Sequence, residues 1–403
     1  MKKLIAIAVV FVLVAGAAFA ADFSGAVIGT VNVLEGNSGK DDAGDANPVT
    51  TSAEMNRIRI DGGGEVADGK FGGYFRADVP SLSIDKPGED FDFDDIGDLF
   101  SVSSFSGNAW WKPIDQLKIL IGSNGGDGFY GKEGVTGWMF QQTVYDTGVA
   151  VGAGNIWGGG YSEWPYVYRA AFFGGDGGGN ALRLDITPLD MLAINLSLPV
   201  FNAGETGDVF AKLMAQVDLK FDFGNIALTY NGGLGYDKDK GRDDPGQIFV
   251  YYGGSFGALS LDFGVGYKFA NHYMADEGDK KAGDEKANPI NIGLGLKFSA
   301  DAFGVKFRAM AGMGGADKST GILAEVLPYF NIADNLTAFV SAGLAIYAPD
   351  GDDAVTGWHF NPYIQVGEEW GAKFLAGVKL WSNGKGDEPV TNWAIPIALI
   401  VSF

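Results

Sequence analysis

The chain ends Trp393-Ala394-Ile395-Pro396-Ile397-Ala398-Leu399-Ile400-Val401-Ser402-Phe403, and this stretch decides the fold. Side chains of an extended strand point to alternate faces. Trp393, Ile395, Ile397, Leu399, Val401 and Phe403 therefore share one wholly apolar face, and Ala394, Pro396, Ala398, Ile400 and Ser402 share the other. In a water-soluble sheet the apolar face needs a covering layer. In a closed barrel that crosses a bilayer, lipid covers it.

The same polarity recurs along the chain. Leu259, Leu261, Phe263, Val265, Tyr267 and Phe269 oppose Ser260, Asp262, Gly264, Gly266 and Lys268. Ile290 to Phe298 alternates against Asn291 to Ser299, Phe303 to Ala309 against Gly304 to Arg308, and Leu213 to Phe221 against Met214 to Lys220. One such strand is a weak signal; a dozen or more joined by tight turns is a strong one. On these residues the ending resembles the C-terminal signal of bacterial outer-membrane β-barrel proteins of porin type, in which alternating apolar residues finish in Phe. The resemblance implies an outer-membrane location and recognition of the terminal Phe by barrel-assembly machinery.

The N-terminus agrees. Lys2 and Lys3 precede an apolar run from Leu4 to Val14, followed by small residues and Ala18-Phe19-Ala20. That is the layout of a secretory signal peptide, which assigns residues 1–20 to the signal and 21–403 to a single barrel domain. No run of about 18 apolar residues follows, which excludes helical spans. The chain is 46% hydrophobic with 63 Gly and no Cys. That suits many short strands and turns closed by hydrogen bonds rather than disulfides. The formal charge of −21 becomes −23 once Lys2 and Lys3 are removed. Such acidity argues against nucleic acid, whose phosphates require Lys and Arg patches. No cofactor is expected.

The connections alternate in length. Tight links fall at Lys112–Asp115, Thr187–Asp190, Phe223–Asn225, Phe256–Ala258, Ala300-Asp301 and Ala333–Asn335. Between them lie longer Gly- and Asp-rich stretches at Glu35–Ala53, Pro80–Ser103, Asp237–Pro245, Asn271–Asn288 and Ala348–Gly357. Short periplasmic turns and long acidic extracellular loops predict an all-β, antiparallel up-and-down transmembrane barrel of about 18 strands, in a range of 16 to 20. A two-sheet secreted sandwich also alternates but rarely uses so many strands. Phe223, Phe256, Phe298, Phe303, Phe330 and Phe403 near the turns, and Trp358, Trp381 and Tyr236 near the loops, read as two interfacial girdles. Gly122–Gly179 holds either a further hairpin, at Thr143–Gly152 and Tyr166–Phe173, or a long loop folded into the barrel. Its aromatic-rich part, Asp127–Tyr168, is the candidate for narrowing the lumen, although girdle and packing roles suit aromatics better.

If lipid takes the apolar face, the polar face lines the interior. The basic residues expected there are Arg57, Arg59, Arg76, Lys118, Arg183, Lys220, Lys268, Lys297, Lys306, Arg308, Lys373 and Lys379. The acidic ones are Asp61, Asp78, Asp185, Asp218, Asp222, Asp262 and Glu325. This predicts a mixed-charge, mildly basic wall, with Arg57, Arg59 and Arg76 as a local basic patch and the surplus acid in the loops. Basic rings bias a pore towards anions, whereas charges paired along the wall make it merely hydrophilic; both readings stand.

The function this predicts is a passive, water-filled channel for small hydrophilic solutes and ions, touching outer-membrane lipid. Monomer and homotrimer are both open. A sealed barrel displaying loops as an adhesin or structural protein is the alternative. Asp237–Asp244 alternates carboxylates in a way that suits Ca²⁺ but lacks the full calcium-loop pattern, so no metal site is assigned. Only His272 and His359 are available for histidine chemistry. His359 has Asp352 and Asp353 near it in sequence but no nucleophile motif, and beside Trp358 and Phe360 it reads as an interfacial residue rather than the base of a hydrolase.

Overall fold

The structure is a computed structural model. It describes residues 22–39, 46–79, 82–84, 104–123, 129, 181–200, 213–232, 246–268, 271–272, 286–287, 290–313, 320–348, 353–367, 371–382, 384 and 389–402. The first strands are β1 (Asp22–Asn37), β2 (Thr50–Val66), β3 (Phe71–Val79), β4 (Leu82–Ile84), β5 (Ser104–Ile114), β6 (Leu117–Gly122), β7 (Ala181–Leu189) and β8 (Leu192–Leu198). Next come β9 (Met214–Phe221), β10 (Gly224–Asn231), β11 (Gln247–Phe256), β12 (Leu259–Lys268), β13 (Asn271–His272), β14 (Lys286–Ala287), β15 (Ile290–Ser299) and β16 (Phe303–Met313). The chain finishes with β17 (Thr320–Ala333), β18 (Leu336–Ala348), β19 (Val355–Val366), β20 (Ala372–Gly377), β21 (Lys379–Ser382) and β22 (Asn392–Ser402).

The barrel strands pair antiparallel in chain order, and β1 pairs with both β2 and β22, so the sheet closes on itself. Closure removes the exposed edges that an open sheet leaves unpaired. β3 and β4 hold one register against β2, as β20 and β21 do against β19 and β22, so each of these pairs forms a single stave. β13 and β14 form a separate two-strand ribbon. The result is a closed barrel of 18 staves. That is the expected architecture, and the count is reached without the hairpin proposed within Gly122–Gly179, which lies outside the described residues.

Prolines explain two irregularities. Pro362 of β19 has no N–H to donate, and the facing residue, Val378, is where the β20–β21 stave is interrupted; Val378 N donates to the Pro362 carbonyl at 3.0 Å. Pro396 of β22 faces Asn32, and the β1 register shifts immediately afterwards. Both Val33 and Leu34 are then exposed, as an extra residue in one strand of a pair requires.

One end of the barrel carries the tight connections, including the expected ones after β5, β7, β9, β11, β15 and β17, together with both barrel termini. Two more belong with them. Residues 67–70 join β2 to β3 through Ala67, Asp68 and Gly69 at positive φ, and 367–371 join β19 to β20. The long connections gather at the other end, although several are shorter than the sequence suggests. Glu35–Asn37 and Thr50–Ala53 are strand, and Leu82–Ile84 pairs with β2.

The terminal strand sets the polarity of the whole surface. Ile395, Leu399 and Val401 are exposed, whereas Ala394, Ala398 and Ile400 are buried. Phe403 lies outside the described residues. Ile60, Val250, Phe263, Ile292, Ile322, Leu344, Phe360, Ile364 and Phe374 continue the exposed apolar belt. Phe223, Phe256, Phe298, Phe303 and Phe330 ring the turn end at 37–58% exposure, and Phe298, Phe303 and Phe330 pack ring to ring in series. Trp381, expected in the opposite girdle, instead faces inward. It is the cross-strand partner of His359, which is 2% exposed, and paired residues share a face.

Candidate functional site on the inner wall

The enclosed face reverses the usual order of a protein interior. Gln216, Asp218, Thr229, Gln247, Asp262, Asn291, Arg308, Glu325, Ser341, His359 and Asn361 are all buried there. Register links many of them into one row. Lys220, Asn225, Gly253, Asp262, Gly295, Arg308, Glu325, Gly343, His359 and Trp381 are successive cross-strand partners around ten staves.

The centre of that row is ionic. Arg308 is bonded to Glu325 Oε2 through both Nε and Nη2, with the pair 10% and 0% exposed in their side chains. His359 Nε2 lies 3.9 Å from Glu325 Oε1 and 3.2 Å from Ser341 Oγ. Glu325 and His359 sit on strands separated by β18, and they meet because residue 343 between them is glycine. A Cβ at Gly343 would overlap His359 Cε1 and lie 2.8 Å from Glu325 Cγ. Asp218, also in the wall, accepts from Gln216 Nε2 at 2.8 Å and Asn195 Nδ2 at 3.3 Å.

This corrects the reading of His359. It is buried rather than interfacial, and its neighbours are Glu325 and Ser341 inside the barrel; Asp352 lies outside the described residues. A Ser–His–acid triad needs serine on one ring nitrogen and an orienting acid on the other. Here both approach Nε2, and Nδ1 meets no protein partner among the described residues. Among the described residues no acid reaches Nδ1 to complete that arrangement. The side chain of His272 lies outside the described residues.

The other expected wall residues fall into groups. Arg76 Nε lies 2.6 Å from Asp61 Oδ1, which also accepts from Tyr74 OH at 2.6 Å, so the anticipated basic patch is partly neutralised. Arg59 is half-buried on the face of Asp61; Arg57 and Asp78 face Ile28 and Arg59 by register, and their side chains lie outside the described residues. Arg183 pairs with Asp185 at 2.6 Å, and its guanidinium carbon stands 5.1 Å from the Phe129 ring centroid. Phe129 is therefore the one described residue of the Asp127–Tyr168 stretch, and it packs against the inner wall at the loop end. Lys118 Nζ stands 4.7 Å over Trp110, and Lys379 Nζ 5.3 Å over Trp381. Lys220 is exposed, and Lys373 is half-buried on the face of Leu375. Lys297 and Lys306 are direct cross-strand partners. The side chain of Lys268 lies outside the described residues, and Asp222 is in the tight turn between β9 and β10 rather than on the wall. Among the described residues no cluster of His, Asp and Glu has metal-ligand geometry.

The sequence reading missed two features. Gln216 and Ser341 were legible from their phase in the alternation, which places them on the enclosed face. The second feature shares that phase but is apolar. Ile28, Leu327, Phe339, Tyr363, Leu375, Ala398 and Ile400 form an apolar cluster on the inner face of β1, β17–β20 and β22, with Tyr329 packed against it. The Phe339 and Tyr363 rings stack at 4.8 Å. No rule of alternation separates these enclosed apolar residues from the polar ones, because both occupy the same face.

No protein-family model and no curated protein matches the sequence. The fold does match solved structures. A BenF-like porin from Pseudomonas fluorescens superposes with a TM-score of 0.54 at 9% identity, covering 95% of this chain and 99% of that one. Salmonella typhi OmpF, solved with daunomycin, superposes at 0.51 and 10% identity, covering 95% and 97%. The fold is thus that of the bacterial outer-membrane porins.

Proposed function

We propose that this barrel is an outer-membrane porin, a passive channel through which small hydrophilic solutes and ions diffuse. The observation that carries the reading is the reversed polarity: apolar side chains cover the outside, while Arg308, Glu325, His359, Asp262, Gln216 and the lysine pair line the inside. A belt of exposed Leu, Ile, Val and Phe is stable only against lipid. An enclosed face rich in charge is stable only where ion pairs and water satisfy it. A β-barrel with both is a membrane wall around a polar passage.

Residues 1–20 act in this reading as a signal peptide that directs export, and residues 21–403 form the barrel. The tight-turn end faces the periplasm and the acidic loops face outward. The lining comprises Arg57, Arg59, Arg76, Lys118, Arg183, Lys220, Lys297, Lys306, Arg308, Lys373 and Lys379 with Asp78, Asp185, Asp218, Asp262 and Glu325. Among the described residues, Arg76, Arg183 and Arg308 each have a carboxylate partner, whereas Lys297 and Lys306 face each other. The terminal strand supplies the contact for assembly machinery, and a homotrimer is an assembly in which such barrels function. Swelling of liposomes that contain the refolded chain tests the reading. Small sugars and amino acids should enter and swell them; folded, inserted protein whose liposomes stay unswollen would overturn it.

A further inference from the structure

The inner wall contains a recess of about 350 Å³ between the β15–β16 pair and the β11–β12 hairpin. Lys297 and Lys306 form one side, and Gly253, Ser255 and Ser260 form the other. Like charges directly opposite each other in a sheet repel. Among the described residues, neither ammonium has a hydrogen bond or an ion pair, and the cross-strand neighbours of the two lysines are Ser260 and Leu327.

The carboxylate in the recess, Asp262, is hydrogen-bonded to a tyrosine through one oxygen, and its Oδ2 has no protein hydrogen-bond partner among the described residues. Asp262 closes one end of the recess, and its Oδ1 accepts from Tyr251 OH at 2.6 Å. Both residues are buried, at 1% and 3% exposure. Gly253 makes this arrangement possible, because a Cβ there would overlap the Tyr251 hydroxyl and lie 3.0 Å from Asp262 Oδ1. At the opposite side, Ser255 Oγ and Ser260 Oγ lie 3.0 Å apart, so one of the two hydroxyls can donate into the recess. Two unneutralised ammonium groups with a hydroxyl donor are what a doubly charged oxyanion requires. The volume lies at the small end of the range for ligand sites.

We infer that this recess is a binding site for a small dianionic solute, of the phosphate or phosphate-ester class, on the turn-end half of the inner wall. The inference rests on the channel reading and deepens it: a transiting oxyanion pauses between Lys297 and Lys306. Binding there removes the repulsion between the two lysines, whereas chloride, with a single charge and no hydrogen-bonding geometry, does so less well.

The test uses the refolded full-length barrel in a planar bilayer in potassium chloride, with inorganic phosphate as the probe. Phosphate should lower the chloride current in a saturable way. The Lys297→Gln/Lys306→Gln protein should conduct and should lose that effect, with half-block needing at least tenfold more phosphate. Equilibrium dialysis of radiolabelled phosphate against folded protein in detergent gives a second readout independent of conduction. Conducting channels that phosphate never blocks, or a double variant that is blocked and binds like the parent, would overturn the site. Absence of any conductance, with phosphate bound in dialysis and lost in the double variant, would overturn the channel reading and leave the site standing.

Discussion

At the scale of single residues, the Arg308–Glu325 pair shows how the wall can be charged and stable together. Both side chains are almost completely enclosed, and Glu325 Oε2 accepts from Arg308 through both Nε and Nη2. Removing one partner alone leaves a buried charge uncompensated, which costs about 3–5 kcal/mol, whereas replacing both is often close to neutral. Arg308→Met is therefore expected to destabilise the barrel by about 3 kcal/mol, and Arg308→Met/Glu325→Met to recover most of the loss. Urea unfolding in lipid vesicles reads both; equal destabilisation by the single and double variants would contradict the account. This pair was only half legible in the sequence. Arg308 and Glu325 were each placed on the enclosed face by alternation, but their contact depends on the register of β16 against β17. His359 was misread for a related reason: its sequence neighbours Trp358 and Phe360 suggested an interfacial residue, whereas its partners arrive on β17 and β18. Gly343 completes the site by having no side chain.

At the scale of elements, alternation made the strands legible and prolines marked their defects. The phase of β12, β15 and β16 could be read directly, because exposed and enclosed residues differ in chemistry there. Leu344 sits in the outward row of β18, between Ala324 and Trp358. Leu344→Arg puts a charge against lipid near mid-strand, with an expected cost of about 2–4 kcal/mol. The urea midpoint in vesicles checks it, and a variant as stable as the parent would mean that this face does not meet hydrocarbon. The staves β17–β20 were harder to read. Leu327, Tyr329, Phe339, Tyr363 and Leu375 are enclosed and apolar, so inward position and polarity no longer coincide. Their strands lie next to the β22–β1 junction, and their packing joins Ile28 and Ile400 of that junction to the staves beside it. The apolar cluster here serves cohesion, and it shares these staves with Glu325, Ser341 and His359 of the ionic row.

At the scale of the whole molecule, the account turns on one asymmetry: the barrel is apolar outside and largely polar inside. A solid soluble barrel would have the reverse arrangement, with polar residues facing water and a dry core filling the interior. The fold class and stave number were legible from the alternation and from the two classes of connection, because both follow from local sequence. The pairing of charges between neighbouring staves, as in Arg76–Asp61 and Arg308–Glu325, was not, because it depends on their register. What the wall does to ions follows from that pairing. Among the described residues, Arg76, Arg183 and Arg308 are matched by carboxylates, and Lys297 and Lys306 are not. The most direct test of the central claim is the current through a planar bilayer as refolded, heat-modifiable protein inserts. Discrete conductance steps, with a reversal potential in a salt gradient displaced towards anions, are the predicted result. Folded barrel that inserts and leaves the bilayer electrically sealed would contradict it.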